Sequence, residues 1–261
     1  MNLTLKNLAV TAITLLILGA LLWLILNFAS ESSKKETIPN FSAIENVQNK
    51  KDTFFDFMLP IIRRANDAIR KERQLVYRFE QRLQSGRGLS EKDAGQLAEL
   101  ARKYRLQTEK NSDQKNIELL LERIDTIPAS LALAQAANES AWGTARFARE
   151  GKNYFGLWCW SRNCGMIPTE REEDASHEVA SFDTVEAGVA YYMQTLNSHP
   201  AYQLLRDLRF ALKGQGNPVK GWDLAGGLLD YSERREAYVD EIRDMITYND
   251  LHRFTQIKYD H

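Results

Sequence analysis

Cysteine and histidine are scarce in this sequence of 261 residues, which has two cysteines and four histidines. Neither a C-x-x-C nor an H-x-x-x-H spacing occurs, so the pattern predicts no metal site and no cofactor. Positive charge is not in surplus either, because 34 basic and 35 acidic residues give a net charge of −1. Nucleic-acid-binding proteins usually carry a basic surplus or stripe, so nucleic acid is not expected as a partner. The sequence also contains no internal repeat and no low-complexity segment.

The two cysteines, Cys159 and Cys164, lie close together with four residues between them. Such a pair favours a local disulfide if the domain is exported to an oxidising compartment. Free buried thiols and a metal pair are the alternatives, and the metal is disfavoured by the scattered histidines.

Long hydrophobic runs are absent except at residues 8–26, which carry no charge. About 20 apolar residues suffice to span a bilayer as a helix. Phe28 before Ala29-Ser30 matches a cleavage site poorly, so the run favours an uncleaved signal anchor over a cleaved signal peptide or a buried core helix. The short tail before the run favours a cytoplasmic amino terminus with the rest of the chain outside.

The remaining sequence divides by composition. We predict an N-terminal signal anchor over 1–30, a polar linker over 31–51, an accessory helical region over 52–120 and a main domain over 121–261. Apolar residues at helical spacing after Asp52 predict a helix with a kink or break at Pro60. The accessory region is expected to pack on the main domain, and a separate binding module is the alternative.

A helix rich in alanine precedes Glu139, the residue to which the sequence draws most attention. Small apolar residues over 129–137 predict a buried central helix, and a carboxylate at its end is costly unless it is functional or paired. Trp142 follows three residues later, and we expect its indole to raise the pKa of the Glu139 carboxyl. A neutral carboxylic acid can donate a proton to a glycosidic oxygen. A purely structural glutamate is the alternative interpretation.

The pattern changes from helical to strand-like over residues 157–183 and returns to helix at about Thr184. The expected fold is therefore mainly α, of the α+β type, with a small β-lobe beside a helical domain. This is a lysozyme-like arrangement, with a cleft between the helices and the lobe.

Four motifs in order carry a resemblance to a known family. They are NESAWGTARFA at 138–148, NYFGLW at 153–158, FDTVE at 182–186 and YSERREAYVDEI at 231–242. Together they resemble the glucosaminidase domain of glycoside hydrolase family 73, and within it the Bax-type proteins of Gram-negative bacteria. The resemblance covers about residues 120–250 and implies cleavage of peptidoglycan glycan strands at β-1,4 bonds next to N-acetylglucosamine.

The resemblance also assigns catalytic residues. Glu139 matches the catalytic acid of the family, and Thr169-Glu170 matches its second carboxylate in the β-lobe. Glu170 is therefore the expected second catalytic group, with Glu173 and Glu178 as fallbacks. Sequence does not separate an inverting route, in which Glu170 activates water, from a route in which the 2-acetamido group of the substrate attacks.

The remaining expected site residues are aromatic or polar. Tyr238 matches a catalytic tyrosine at the cleft, and Tyr231 begins its Y-x(6)-Y spacing. The expected substrate contacts are Trp142, Asn153, Tyr154, Phe155 and Tyr231. The chain has Phe182-Asp183-Thr184 where the wider family has an F-R-x-Y segment, so its sugar subsites are expected to differ.

The resulting functional hypothesis is an endo-β-N-acetylglucosaminidase-type glycoside hydrolase without a cofactor. Its expected partners are peptidoglycan and, through residues 1–30, the inner membrane, with no obligate protein partner. The expected location is the inner membrane, single-pass, with the catalytic domain in the periplasm, or export after signal cleavage. Two alternatives are a non-catalytic membrane-anchored peptidoglycan-binding or regulatory protein and a lytic transglycosylase, which needs a single glutamate.

Overall fold

The computed structural model describes residues 37–108, 111–168 and 177–254. Thr37–Pro39 have no regular secondary structure, and the described residues from Asn40 onward pack as one compact unit. The hydrophobic run at 8–26 lies outside the described residues. Within them, no helix combines the length and the apolar composition that a bilayer span requires.

The described part of the chain is mostly helical, with one small sheet. The helices are α1 (Val47–Gln84), α2 (Glu91–Lys103), α3 (Asp113–Arg123), α4 (Ala129–Glu139), α5 (Arg146–Gly151), α6 (Val185–Ser198), α7 (Gln203–Gly214), α8 (Gly221–Ala225) and α9 (Glu236–Tyr248). The strands are β1 (Trp158–Cys159), β2 (Gly165–Met166) and β3 (Glu178–Ala180). This confirms a mainly α architecture with a three-stranded lobe between α5 and α6.

Helix α1 is 38 residues long and contains residues 52–84 of the predicted accessory region. The side chain of Asn46 caps it by accepting from the backbone N–H of Asn49, so the linker predicted over 31–51 ends too late. The helix also continues through Pro60, so of the kink or break expected there the break does not occur and the kink stays a prediction. Asp56, whose carbonyl loses its helical partner to Pro60, is exposed, so that carbonyl can be hydrated instead.

Helix α2 starts with a capping box, a pattern of Ser90 and Asp93 that local sequence displays. The Ser90 hydroxyl accepts from the N–H of Asp93, and the Asp93 carboxylate accepts from the N–H of Ser90. Helices α2 and α3 both pack on α1, which also contacts α4 and α6. The accessory region is therefore a layer of the same packed unit, and α3 runs across the boundary expected at residue 120.

Helix α4 is the central element. Each of residues 129–137 is buried, and the helix contacts α1, α8, α9 and the 3-10 turn Leu251–Phe254. Small side chains allow these neighbours to approach closely. On α8, for example, an added Cβ on Gly221 would collide with Ser130 and Leu131 of α4. The buried central helix predicted from alanine content is confirmed, and it ends at Glu139.

A buried arginine joins the end of α3 to α6 and α7. Arg209 is 1% exposed and donates to the carbonyls of Glu122, Arg123 and Asp125 and to the side chain of Asn197. The Asp125 carboxylate is buried beside it, and neighbouring cations lower its pKa although burial opposes them. The carbonyls at the C-terminal end of α3 therefore find donors inside the core.

The β-lobe has strand order β1–β3–β2, with both outer strands antiparallel to β3. Trp158 pairs with Val179, and Gly165 pairs with Ala180. Cys159 and Cys164 form a disulfide that closes the loop between β1 and β2. Residues 169–176, between β2 and β3, lie outside the described residues.

Candidate active site

Glu139 is the last residue of α4 and is partly exposed, although all but one of the residues before it in the helix are buried. Its Oε1 accepts a hydrogen bond of 2.7 Å from the hydroxyl of Tyr238, which comes from α9. Its Oε2 lies on the side of Gly156, where an added Cβ would be 3.2 Å from that oxygen. The structure therefore brings together three parts of the predicted site: the helix end, the tyrosine and the NYFG turn.

Burial is the main influence on the Glu139 carboxyl and raises its pKa. The hydrogen bonds from Tyr238 and Asn138 act in the opposite direction because they stabilise the carboxylate. Two charged groups on the rim also act: Glu241 raises the pKa and Arg234 lowers it. The net effect favours a protonated acid, as a proton donor requires.

Tyr231 and Tyr238 form a stacked pair beside the acid, with ring centroids 5.4 Å apart and planes 6° apart. The Tyr231 hydroxyl donates to the backbone carbonyl of Phe155 at 2.6 Å. Tyr231 thus ties the segment before α9 to the NYFG turn. By stacking on Tyr238, Tyr231 also holds the ring whose hydroxyl bonds to Glu139. The expected contact of Tyr231 with substrate stays a prediction.

The loop after Glu139 turns back sharply through three successive residues with positive φ, Ala141, Trp142 and Gly143. The Ser140 hydroxyl holds this turn by donating to the carbonyl of Ala136 and accepting from the N–H of Gly143. A Cβ on Gly143 would overlap the ring of Phe41, which explains the glycine in the ESAWG motif.

The ring of Trp142 packs on helix α1. Its ring packs edge-on against Phe54 and Phe55 of α1, at centroid distances of 5.7 and 5.4 Å, and Lys51 lies over it at 4.9 Å. Burial raises the pKa of Glu139, and the indole fastens the loop after Glu139 to α1. The expected effect of Trp142 on the pKa and its expected contact with substrate stay predictions.

The NYFG turn is also built differently from the sequence expectation. The side chains of Asn153, Tyr154 and Phe155 are 1–2% exposed, so they present no surface to a sugar. The Asn153 amide donates to the carbonyls of Leu157 and Ala180 and accepts from two backbone N–H groups, which holds the turn and the first residues of the lobe. Phe155 stacks on Tyr192 at 3.8 Å. These three expected substrate contacts therefore support the site from behind.

The second carboxylate is the part of the predicted site that this structure does not reach. Glu170 and Glu173 both lie outside the described residues, in the β2–β3 connection. The fallback Glu178 is buried in β3 and accepts from the N–H groups of Asn163 and Gly165. It braces the loop that the Cys159–Cys164 disulfide closes, and both sulfurs in that bond are unavailable as thiolate ligands.

Sequence reasoning missed two residues behind the acid. The Gln135 amide donates to the Tyr238 hydroxyl at 3.0 Å and accepts from the Tyr192 hydroxyl at 2.6 Å. Gln135 precedes Glu139 by four residues and so lies on the same face of α4. The sequence signal that could have identified Gln135 is a single glutamine in an otherwise apolar stretch of helix, one turn before Glu139.

The fold and this site define a class of protein. A partly buried carboxyl with a raised pKa lies in a mainly helical domain beside a small β-lobe, and glycoside hydrolases use carboxyl groups of this kind. The family model described as Glucosaminidase, mannosyl-glycoprotein endo-beta-N-acetylglucosaminidase, matches residues 114–251. This match covers more than half of the chain, and the protein belongs to that family.

Two individual proteins are similar to this chain. Protein bax of Escherichia coli strain K12 is 28% identical over 211 residues, which are 81% of this chain and 74% of that protein. Among solved structures, the catalytic domain of the autolysin Auto from Listeria monocytogenes is 13% identical with a TM-score of 0.38. That similarity covers 88% of this chain and 97% of the Listeria chain.

Proposed function

We propose that this protein hydrolyses the glycan strand of peptidoglycan at β-1,4 bonds next to N-acetylglucosamine, with Glu139 as the general acid. One observation carries the assignment: in a chain of the glucosaminidase family, the partly exposed Glu139 has a raised pKa and a hydrogen bond from a buried tyrosine. The choice of peptidoglycan and of this bond is supported by the four ordered motifs in the sequence.

In the proposed reaction, Glu139 gives its proton to the glycosidic oxygen while the bond from that oxygen to the anomeric carbon breaks. Water supplies the hydroxyl group that ends on the anomeric carbon and the proton that returns to the enzyme. Glu170 is the proposed second group. In an inverting route it takes a proton from the attacking water, and the two carboxyls would stand roughly 6.5–9.5 Å apart. In a substrate-assisted route the 2-acetamido group attacks first, and Glu170 orients it.

Residues 8–26 are proposed as an uncleaved inner-membrane anchor with the catalytic domain in the periplasm. The absence of charge over a span of bilayer length and the poor cleavage site support it. Protease added to spheroplasts should digest the domain and spare a membrane-bound amino-terminal fragment. Release of the whole domain without protease would favour signal cleavage instead.

The decisive experiment is mass spectrometry of purified peptidoglycan after digestion by the full-length protein in detergent. The comparison is with Glu139→Gln and with a control, Glu186→Gln, whose carboxylate pairs with Arg64 at the surface. We expect new reducing N-acetylglucosamine ends from the wild type and the control. Glu139→Gln should be slower by about 10²–10⁴-fold, the usual contribution of general acid catalysis.

Other products would change the assignment in defined ways. Reducing N-acetylmuramic acid ends would move the cleaved bond, and anhydro ends would identify a lytic transglycosylase. Binding without new ends would identify a non-catalytic peptidoglycan-binding protein. Full hydrolysis by Glu139→Gln would remove Glu139 from the mechanism.

A further inference from the structure

Behind the acid lies a hydrogen-bonded chain of four side chains that is buried up to its last member. The Tyr192 hydroxyl donates to Gln135 Oε1, Gln135 Nε2 donates to the Tyr238 hydroxyl, and that hydroxyl donates to Glu139 Oε1. Gln135 and Tyr192 are 0% exposed and Tyr238 is 1% exposed, so water does not compete for these bonds. The chain comes from three elements, α6, α4 and α9.

Each link in this chain points in one direction because of what the groups can donate. A tyrosine hydroxyl has a single proton, and a glutamine amide donates only from its nitrogen. With the nitrogen facing Tyr238, the hydroxyl oxygen of Tyr238 accepts from Gln135 and its proton is directed to Glu139. A reversed amide would place an oxygen there, and that oxygen would take the tyrosine proton away from the acid.

The direction of the chain decides which oxygen of Glu139 carries the acid proton. Oε1 accepts from Tyr238, so the proton is placed on Oε2. Oε2 is the oxygen beside Gly156, and Glu139 and Gly156 are both partly exposed. A proton on Oε1 would instead be directed at a buried phenol, where no substrate can reach it.

We infer that Gln135 is a positioning residue for the proposed glycosidase reaction, acting through Tyr238 to keep the transferable proton of Glu139 on Oε2, with Tyr192 fixing the amide. This inference rests on the proposed function. The side chain of Gln135 is fully buried and bonds to the two tyrosines, so it acts on the orientation and acidity of Glu139 and leaves substrate binding unchanged.

The test is a mutant series measured by a signal that does not require activity. In protein labelled with ¹³C at glutamate carboxyls, the Glu139 resonance is the one missing from Glu139→Gln, and its titration reports the pKa directly. The variants are Gln135→Leu, Tyr192→Phe and Tyr238→Phe. Tyr104→Phe is the control, since the hydroxyl that it removes donates to Glu72 and is not bonded to any of the four side chains above. Tyr192→Phe keeps the ring that stacks on Phe155.

Loss of donors to the carboxylate should raise the pKa of Glu139. We expect the largest rise in Tyr238→Phe, about half a unit in Gln135→Leu, a smaller rise in Tyr192→Phe and none in the control. Because Gln135 acts through the tyrosine, Gln135→Leu should add no further rise in the Tyr238→Phe background. The kcat for glycan hydrolysis should fall about tenfold in Gln135→Leu with KM unchanged.

The role of Gln135 and the proposed function can each be contradicted without the other. An unchanged pKa of Glu139 in both Gln135→Leu and Tyr192→Phe overturns the inference, as does an undiminished rise in the Tyr238→Phe background. An equal rise in Tyr104→Phe would show a general loss of rigidity and also overturn it. If the pKa of Glu139 changes as expected but the protein releases no glycan ends, the positioning role of Gln135 is supported and the proposed function is wrong.

Discussion

The carboxyl of Glu139 destabilises the folded protein at neutral pH. Burial raises its pKa, so the folded state holds the proton more tightly than the unfolded chain does. Above the pKa of the unfolded chain, the folded state must either bind a proton or bury a charge. A site that raises the pKa of its carboxyl therefore weakens the fold when the pH rises.

We predict that Glu139→Gln increases stability against urea at pH 8 and that this gain disappears at about pH 3, where the carboxyl is protonated in both states. Urea titrations of both proteins at the two pH values make the comparison. A gain that is equal at both values would mean that charge is not the cause. A loss of stability at pH 8 would contradict the raised pKa.

The same raised pKa fixes the sign of the pH dependence of activity. In the proposed reaction Glu139 must be protonated to act, so kcat/KM should decline as the pH rises through its pKa, which burial holds above the ordinary glutamate value. Tyr238→Phe should move this decline to higher pH. A pH–rate profile with soluble glycan fragments measures both limbs, and a shift of the alkaline limb to lower pH would contradict the Tyr238 contact.

Gly156 meets two requirements at one position, and a matched glycine separates them. Its φ is +61°, and a Cβ would approach Glu139 Oε2 at 3.2 Å. Gly86 has a φ of +72° with nothing within 4 Å of an added Cβ. Both Gly156→Ala and Gly86→Ala should lose about 1–2 kcal/mol of stability through left-handed backbone strain.

Activity should distinguish these two alanine variants. Gly156→Ala is expected to lower kcat more than tenfold, because the new methyl group fills the space beside the proton-donating oxygen, whereas Gly86→Ala leaves kcat unchanged. Measurement of kcat and of urea stability on both variants provides the comparison. Equal kcat values would show that the space beside Oε2 is not used.

At the scale of elements, an aromatic cluster joins α1 to the catalytic loops. The ring of Phe54 is fully buried and contacts the rings of Phe41, Trp142 and Tyr154. These contacts connect α1 to the loop after Glu139 and to the NYFG turn. The long helix therefore supports both the loop after Glu139 and the NYFG turn.

Phe54→Ala should cost about 3–5 kcal/mol in urea unfolding, the usual loss for a large aromatic side chain in a core. Phe210→Ala is the control, since Phe210 lies on α7 and is 64% exposed. It should change the free energy of unfolding by less than about 0.5 kcal/mol. Similar losses in the two variants would show that α1 is not part of the structural core.

Periodicity and capping predict the elements better than they predict the site. The alanine content of residues 129–137, the Ser90–Asp93 capping box and the three-stranded lobe all depend on local chemistry, which sequence displays. The break expected at Pro60 does not occur, and the carbonyl that loses its partner belongs to the exposed residue Asp56, where water can replace the lost hydrogen bond. Local pattern cannot show whether a neighbouring carbonyl is hydrated.

The site residues show where sequence reasoning ends. Glu139 is identifiable because its position at the end of a buried helix is itself unusual. Trp142, Tyr154 and Phe155 pack against α1 and α6, which are distant in sequence, so proximity along the chain could not show these contacts or the burial of Tyr154 and Phe155. Gln135 was hidden for the same reason, because its two phenol partners come 57 and 103 residues later.

At the scale of the whole molecule, the family match and the packed unit differ in extent. The glucosaminidase model begins at residue 114, after α1 and α2. The described residues from Asn40 onward nevertheless form one unit, in which α1 contacts α3, α4 and α6. Glu139 and Tyr238 therefore lie in the family region, while α1, which precedes it, packs against the helix that carries Glu139.

We predict that residues 40–261 unfold in one cooperative step and that a fragment starting at residue 112 does not fold. Removal of α1 would expose the buried faces of α4 and of the aromatic cluster. Coincident urea transitions by far-UV circular dichroism and tryptophan fluorescence would support this for the longer chain. A well-dispersed NMR spectrum from the shorter fragment would contradict it.

The position of Glu139 as the final residue of α4 has a consequence of a different kind. The peptide dipoles of a helix sum to a partial negative charge at the C-terminal end, worth about 0.3–1 kcal/mol to a neighbouring charge. An ionised carboxylate there meets a repulsive field that comes from backbone geometry alone. The backbone of α4 therefore acts on this acid in the same direction as burial does, and no exchange of neighbouring side chains can remove that contribution.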